Sequence, residues 1–257
     1  MVNDLNEIEA AVLSHVARYR LTLPRLLAKT GLLPNKRTQT AAAVLQRLVE
    51  TKWLQKAELI PENTRYDQYF FLSARAAKRL GHDAEFALPP TRDLRIESFA
   101  IATFCCSGPV FREVFTKGEF VERFSSLWYP GQPVRYYLEP SQNSPPRLAF
   151  LKVDKDGPGR WDRLIDSCAR FTRKRIDVRA AAAERRLQIE AFGSLVTHGR
   201  FQITILTTLP EKKRAIELEL VRRAAAKESV PPLCVHVVPG LLELMCPSVT
   251  NLVANAG

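Results

Sequence analysis

Three residues in the middle of the chain have the types that phosphodiester chemistry uses. Glu139, Lys152 and Asp154 fall on two neighbouring strand-like runs. A hard cation such as Mg²⁺ takes oxygen ligands and must be held by clustered carboxylates against the scissile phosphate. An acid, a Lys and an Asp are what a permuted nuclease motif can carry, yet any strand edge with those residues would satisfy the pattern. One or two carboxylates hold a catalytic magnesium poorly. Lys152 and Asp154 are therefore expected to form a structural or phosphate-facing pair, with no metal between the strands, because an ammonium repels a divalent cation at close range.

A second group, Lys36-Arg37-Thr38-Gln39-Thr40, has the types that reach phosphates and base edges. Other chemistries lack their residues. The sequence has no G-x-x-x-x-G-K-[ST], G-x-G-x-x-G or G-x-S-x-G motif. His15, His82, His198 and His236 are dispersed, which argues against a structural zinc and against the His cluster of a tyrosine relaxase. The five cysteines (Cys105, Cys106, Cys168, Cys234 and Cys246) contain no C-x-x-C pair and read as reduced, mostly buried thiols. No cofactor is expected.

The elements that must position Lys36 to Thr40 read as a winged helix-turn-helix. Leu5, Ile8, Val12, Val16 and Tyr19 make one stripe of a helix over about Asn3 to Arg20. Thr22 is expected to cap a short helix over Leu23, Leu26 and Leu27, with Gly31 to Pro34 as the turn. A second helix is expected from Asn35, burying Val44, Leu45, Leu48 and Val49. Trp53 to Ile60 and Arg65 to Leu72 read as strands around a Pro61 to Thr64 turn, and Lys56 and Arg65 of that wing are candidates for the DNA backbone. Ser73 should cap a helix ended by Gly81 at C′. Pro89-Pro90 then suggests a domain boundary between Gly81 and Thr91.

Residues Thr91 to Cys106 and Gly118 to Leu127 are helical in pattern. Beyond them Val134, Tyr136 and Leu138 alternate with Arg135 and Tyr137, and Ser141 to Pro146 reads as a turn. Arg147 to Asp154 reads as a continuous apolar strand. Helices from Gly159 to Ile176, Glu211 to Lys227 and Leu241 to Met245 alternate with strands Phe201 to Thr207 and Leu233 to Val238. The fold class expected is α+β, an N-terminal winged helix-turn-helix over residues 1–85 followed by an α/β domain with a mixed sheet over 91–257. Arg170, Arg173, Lys174, Arg175 and Arg179, with Arg185 and Arg186 beyond, form a basic run; such runs are most often solvated helix faces, and this one could extend a DNA footprint. Trp128 and Trp161 read as core or interface anchors.

Trp128-Tyr129-Pro130-Gly131, the strand ending Tyr137-Leu138-Glu139, then Ala149 to Asp154 and a long helix resemble the replication-relaxation family of plasmids and integrative elements. The resemblance extends to Arg20-Leu21-Thr22, Leu72-Ser73 after the wing, and Ile203 to Thr208. It implies a winged helix joined to a domain like the PD-(D/E)xK nucleases, and a role in plasmid replication and DNA relaxation. Relatives tend to carry Pro-Asp and Leu-Glu-Val-Asp where this sequence has Pro130-Gly131 and Leu151-Lys152-Val153-Asp154. Two ligand carboxylates are thus replaced by Gly131 and Lys152, and the resemblance implies an inactive nuclease-like scaffold.

Thirty-eight Lys and Arg against 27 Asp and Glu give a net charge of +11, which attracts polyanions before any specific contact forms. No apolar run approaches the ~20 residues of a membrane-spanning helix, and the start Met-Val-Asn-Asp-Leu-Asn-Glu lacks the features of a signal peptide. The expectation is a cytoplasmic bacterial protein, plasmid- or nucleoid-associated, that binds double-stranded DNA sequence-specifically as a homodimer and assists replication, transfer or transcription. Arg37 and Gln39 are expected at bases, and Lys36, Thr38 and Thr40 at phosphates. A protein partner from the replication or transfer machinery is also expected. The alternatives are a divergent metal-dependent nuclease acting through Glu139, Lys152 and Asp154, and a protein-interaction adaptor.

Overall fold

A computed structural model describes residues 5–60, 68–108, 110, 112–140, 145–156, 159–176, 191–228, 230 and 232–246. The chain divides into two compact units, Met1–Phe111 with Pro239–Gly257, and Arg112–Val238. No helix among the described residues is long and apolar enough to cross a membrane.

In the first unit α1 spans Glu7–Tyr19. It starts later than its apolar stripe suggests because Asn6 and Glu9 form a capping box: Asn6 Oδ1 accepts from Glu9 N (2.8 Å) and Glu9 Oε2 from Asn6 N (3.0 Å). Thr22 does not cap the next helix. Its backbone pairs with Phe70 at 2.9 Å in both directions, and its hydroxyl bonds His15 Nε2 at 3.0 Å. Helix α2, Pro24–Leu27, instead begins with Pro24, whose fixed φ suits a first helical position. After Gly31, which turns the chain at φ +78°, α3 spans Thr38–Glu50. The three residues before it are non-helical, Asn35 Oδ1 accepting weakly from Arg37 N (3.4 Å), an Asx-type turn that competes with helix.

Strands β1, Leu54–Glu58, and β2, Gln68–Leu72, pair antiparallel. The expected turn at Pro61 to Thr64 lies outside the described residues. Helix α4, Ala74–Arg79, carries Ser73 as N-cap and Gly81 at φ +71° just beyond its end, as the residue types required. The core joins Val12 and Val16 of α1, Leu45 and Leu48 of α3, Trp53, Leu54, Phe70 and Leu72. Helix α5, Arg92–Ser107, is capped by Thr91 and belongs to this unit rather than to the one that follows. The Pro89-Pro90 break interrupts local structure, but α5 contacts α1, α2 and the later helix Leu241–Met245 and stays with the first unit. Helix α10, Leu241–Met245, returns to the same unit, where Arg92 Nη2 donates to Met245 O at 2.7 Å.

The second unit is α+β with a four-stranded mixed sheet. Helix α6, Lys117–Arg123, precedes β3, Tyr136–Glu139, and β4, Arg147–Val153. Then come α7, Trp161–Ile176; α8, residues 191–197; β5, Phe201–Thr207; α9, Pro210–Ala225; and β6, Leu233–Val237. The strand order is β3-β4-β5-β6, with β3 antiparallel to β4 and the remaining pairs parallel.

Because strand side chains alternate between faces, the register assigns each residue to a side. Tyr136, Leu148, Phe150, Phe201, Ile203, Ile205 and Val235 share one face and meet Leu164, Ile165 and Cys168 of α7 and Ile216 of α9. Trp128 and Trp161 pack at the margin of this core. The opposite face carries Tyr137, Glu139, Gln202, Thr204, Cys234 and His236.

The buried His15 makes the first unit acid-sensitive. Burial, aided by Arg18, pushes its imidazole down from 6.5 to about 4. Protons therefore bind the unfolded chain more readily between those values, and the stabilising contribution is complete above about pH 6.5 and lost as pH falls toward 4. The whole effect is of order 3 kcal/mol. Guanidinium unfolding at pH 7 and 4.5 should show a smaller acid loss in His15→Gln than in the parent; equal losses would exclude His15 as the sensor.

Candidate nucleic-acid interface

Ala41, Leu45 and Leu48 bury one stripe of α3, which leaves Gln39, Ala43, Gln46 and Glu50 on the outside. Lys36, Arg37, Thr38 and Gln39 are all exposed, and Thr40 is half-buried. Among the described residues no side chain caps this helix start, and its first turn contains no acid, so the N–H groups and the positive helix terminus stand beside two cations. Lys56 of β1 reaches the outer surface of the same helix, donating from Nζ to Gln46 Oε1 at 3.3 Å. Gln46, which bonds Glu50 Oε1 at 3.2 Å as well, was not among the sequence candidates. Its position two helical turns after Gln39 was the available signal. Arg47 is turned toward α1, where its Nε lies 3.1 Å from Glu9 Oε1. Arg65 lies outside the described residues.

The trio in the second unit is not assembled. Glu139 is paired with Arg147 at the start of β4, whereas Asp154 follows its end, a separation of about 23 Å along the strand at ~3.3 Å per residue. Glu139 also belongs to the face opposite Lys152. Lys152 Nζ donates to Ser167 Oγ of α7 at 2.9 Å instead of pairing with Asp154. The partner of Asp154 is Lys212, unforeseen from sequence. Lys212 Nζ is 2.7 Å from Oδ2 and 2.9 Å from Oδ1, Thr207 Oγ1 donates to Oδ2 at 2.8 Å, and Asp156 N donates to Oδ1 at 3.2 Å. Both charged side chains are withdrawn from solvent, at 1% for Lys212 and 0% for Asp154.

Glu139 is held on the other face by Arg112, whose Nε and Nη2 donate to its two oxygens at 2.9 and 2.7 Å. Tyr137 OH donates to Glu139 Oε2 at 2.8 Å and lies 2.8 Å from Thr204 Oγ1. Burial opposes the charge on Glu139, but the Arg112 and Tyr137 bonds outweigh it and hold the carboxyl below its usual range. Burial pushes the Tyr137 phenol far upward, so it remains a hydrogen-bond donor. Nearby His236 is lowered by burial and then by Arg112. Cys168 is pushed up to about 11, first by burial, which leaves an unreactive thiol. No group of three or more His, Cys, Asp and Glu among the described residues is placed to hold a metal.

Of the basic run, Arg170, Arg173 and Lys174 are exposed on α7; Arg175 lies in that helix without a described side chain, and Arg179, Arg185 and Arg186 lie outside the described residues. Compared with family models, curated proteins and solved structures, the chain finds no match.

Removing one member of the Asp154–Lys212 pair leaves an uncompensated buried charge. Lys212→Ala should cost about 3 to 5 kcal/mol, and the double variant Lys212→Met with Asp154→Leu markedly less. Urea denaturation of the three proteins decides: a single variant within about 1 kcal/mol of the parent would mean that the pair is not desolvated.

Proposed function

We propose that the chain is a sequence-specific double-stranded-DNA-binding protein in which the first unit acts as a winged helix-turn-helix and α3 lies in the major groove. The observation that carries this reading is the uncapped, acid-free start of α3 with Lys36, Arg37, Thr38 and Gln39 exposed together, and Lys56 of β1 bonded to the outer face of the same helix. The order helix, Thr22 bridge, helix, helix, strand, strand supports the winged form, the bridge being a single residue pair, Thr22 with Phe70 of β2. Arg37 and Gln39 read base edges; Lys36, Thr38, Thr40 and Lys56 take phosphates. A single reading helix covers a small site, so two copies bind two half-sites as a homodimer. The resemblance noted in the sequence supports a role as an accessory factor in replication, transfer or transcription of a plasmid or integrative element.

Arg37→Ala should weaken the cognate site by about 1 to 3 kcal/mol and relax preference at one base position, with Gln39→Ala relaxing another. Randomised duplexes give the site and mobility-shift titration gives the affinities. Unchanged affinity and preference in both variants would remove α3 from the groove.

In this reading the second unit is a nuclease-like scaffold that does not cut. Asp154 has both oxygens engaged by Lys212, Thr207 and Asp156, and Glu139 is committed to Arg112, far from it along the sheet. Supercoiled DNA incubated with the protein and Mg²⁺ or Mn²⁺ should stay intact. Nicking that vanishes in Asp154→Ala or Glu139→Ala would overturn the scaffold reading.

A further inference from the structure

We propose that the C-terminal part of α7 is a second phosphate-binding surface for duplex DNA, formed by Arg170, Arg173 and Lys174. The inference extends the DNA-binding reading and rests on it for the identity of the polyanion. Helix α7 is oriented by its buried side: Leu164, Ile165, Cys168 and Thr172 are buried, with the first three in the sheet-facing core. Arg170, Arg173 and Lys174 are exposed. Their three- and four-residue spacing makes them surface neighbours on one patch.

Several other cations of this unit are committed. Arg112 is bound by Glu139, Lys212 by Asp154, and Arg222 and Arg223 by Glu219. Among the described residues no carboxylate pairs with Arg170, Arg173 or Lys174. The acids of α7, Asp162 and Asp166, lie in its first half, and Asp166 is engaged by Arg223 at 2.8 Å. Cations near a helix C-terminus complement its dipole, which accounts for having charge there. It does not account for three like charges at three- and four-residue spacing, which repel one another until an anion intervenes.

Lys174 lies about 6 Å beyond Arg170 along the axis at ~1.5 Å per residue, comparable to about two nucleotide steps at ~3.4 Å of duplex axis each. Arg and Lys can reach guanine edges as well as phosphates, but on these last helical turns no exposed amide or hydroxyl adjoins them, and the surface is assigned to the backbone. Its partner is therefore the DNA backbone, and its consequence is affinity and salt dependence without base preference.

The test is a fluorescence-anisotropy titration of the full chain on the selected duplex and on a scrambled duplex over a salt series. The variants are Arg170→Ala with Arg173→Ala and Lys174→Ala, compared with Arg37→Ala plus Gln39→Ala. Alanine keeps the exposed helix intact, and circular dichroism of the triple variant should match the parent. The triple variant should lower the magnitude of the log-log salt slope by about 2 to 3, at ~0.9 per phosphate, and weaken both duplexes by the same factor. An unchanged slope and affinity in the triple variant overturns this proposal while leaving the α3 reading intact. Loss of slope in the triple variant together with no effect of the α3 pair sinks the α3 reading and keeps this surface. A parent that binds neither duplex at low salt overturns both.

Discussion

Ala41, Leu45 and Leu48 are fully withdrawn from solvent along a single stripe of α3, against Val12 and Val16 of α1 and Trp53 at the start of the β pair. A buried Leu contributes about 1.5 to 3 kcal/mol relative to an exposed one, so this stripe fixes the rotation of the helix about its axis. The rotation in turn decides which residues face outward. Gln39, Ala43 and Gln46 follow from it, with the small Ala43 between two exposed amides. The cations at the helix start stay outside because Asn35 and Pro34 keep residues 34–36 out of the helix, which would otherwise rotate Lys36 and Arg37 onto other faces. Core packing and a turn together produce the surface on which the functional reading depends.

In the second unit the corresponding constraint is desolvation. Asp154 and Lys212 are both taken out of water, and only mutual contact plus bonds from Thr207 and Asp156 makes that tolerable. Such a pair ties the end of β4 to the first turn of α9 and to the end of β5. A carboxylate so fully occupied has no lone pair to spare for a metal without first losing its ammonium. The same geometry that stabilises the sheet end thus withdraws the acid most suited to cation binding.

Much of the architecture was legible in the sequence. The expected bounds of β5 and α10 match the observed ones, and the capping residues Ser73 and Thr91 and the terminating Gly81 follow local rules that need no tertiary knowledge. Misplacement came where a residue's partner is distant. Thr22 has a capping residue's chemistry, but its hydroxyl is spent on His15 and its backbone on Phe70. Lys212 is invisible as the partner of Asp154 until β4 and β5 are known to be parallel neighbours. The grouping of Glu139 with Lys152 failed on parity: the alternation places Glu139 with Tyr137, and the antiparallel register sets them opposite Arg147 and Ala149, on the face away from Lys152. The membership of α5 in the first unit rests on its contacts with α1, α2 and α10, which Pro89-Pro90 does not report.

The net charge of +11 does not by itself locate a contact. A cation bonded to a neighbouring carboxylate, such as Arg112 on Glu139 or Arg223 on Glu219 and Asp166, forms a locally neutral pair whose field falls off quickly in salt water. It must also lose that partner before it can take a phosphate. Exposed cations without a carboxylate partner among the described residues incur no such loss, and each phosphate they neutralise releases condensed counterions. The footprint of a basic protein on DNA is therefore set by where its unpaired cations stand. Two groups of such cations stand together, at the start of α3, where amides and hydroxyls adjoin them, and on the last turns of α7, where no exposed amide or hydroxyl does. That difference in company is the physical basis for assigning sequence reading to the first surface and backbone binding to the second.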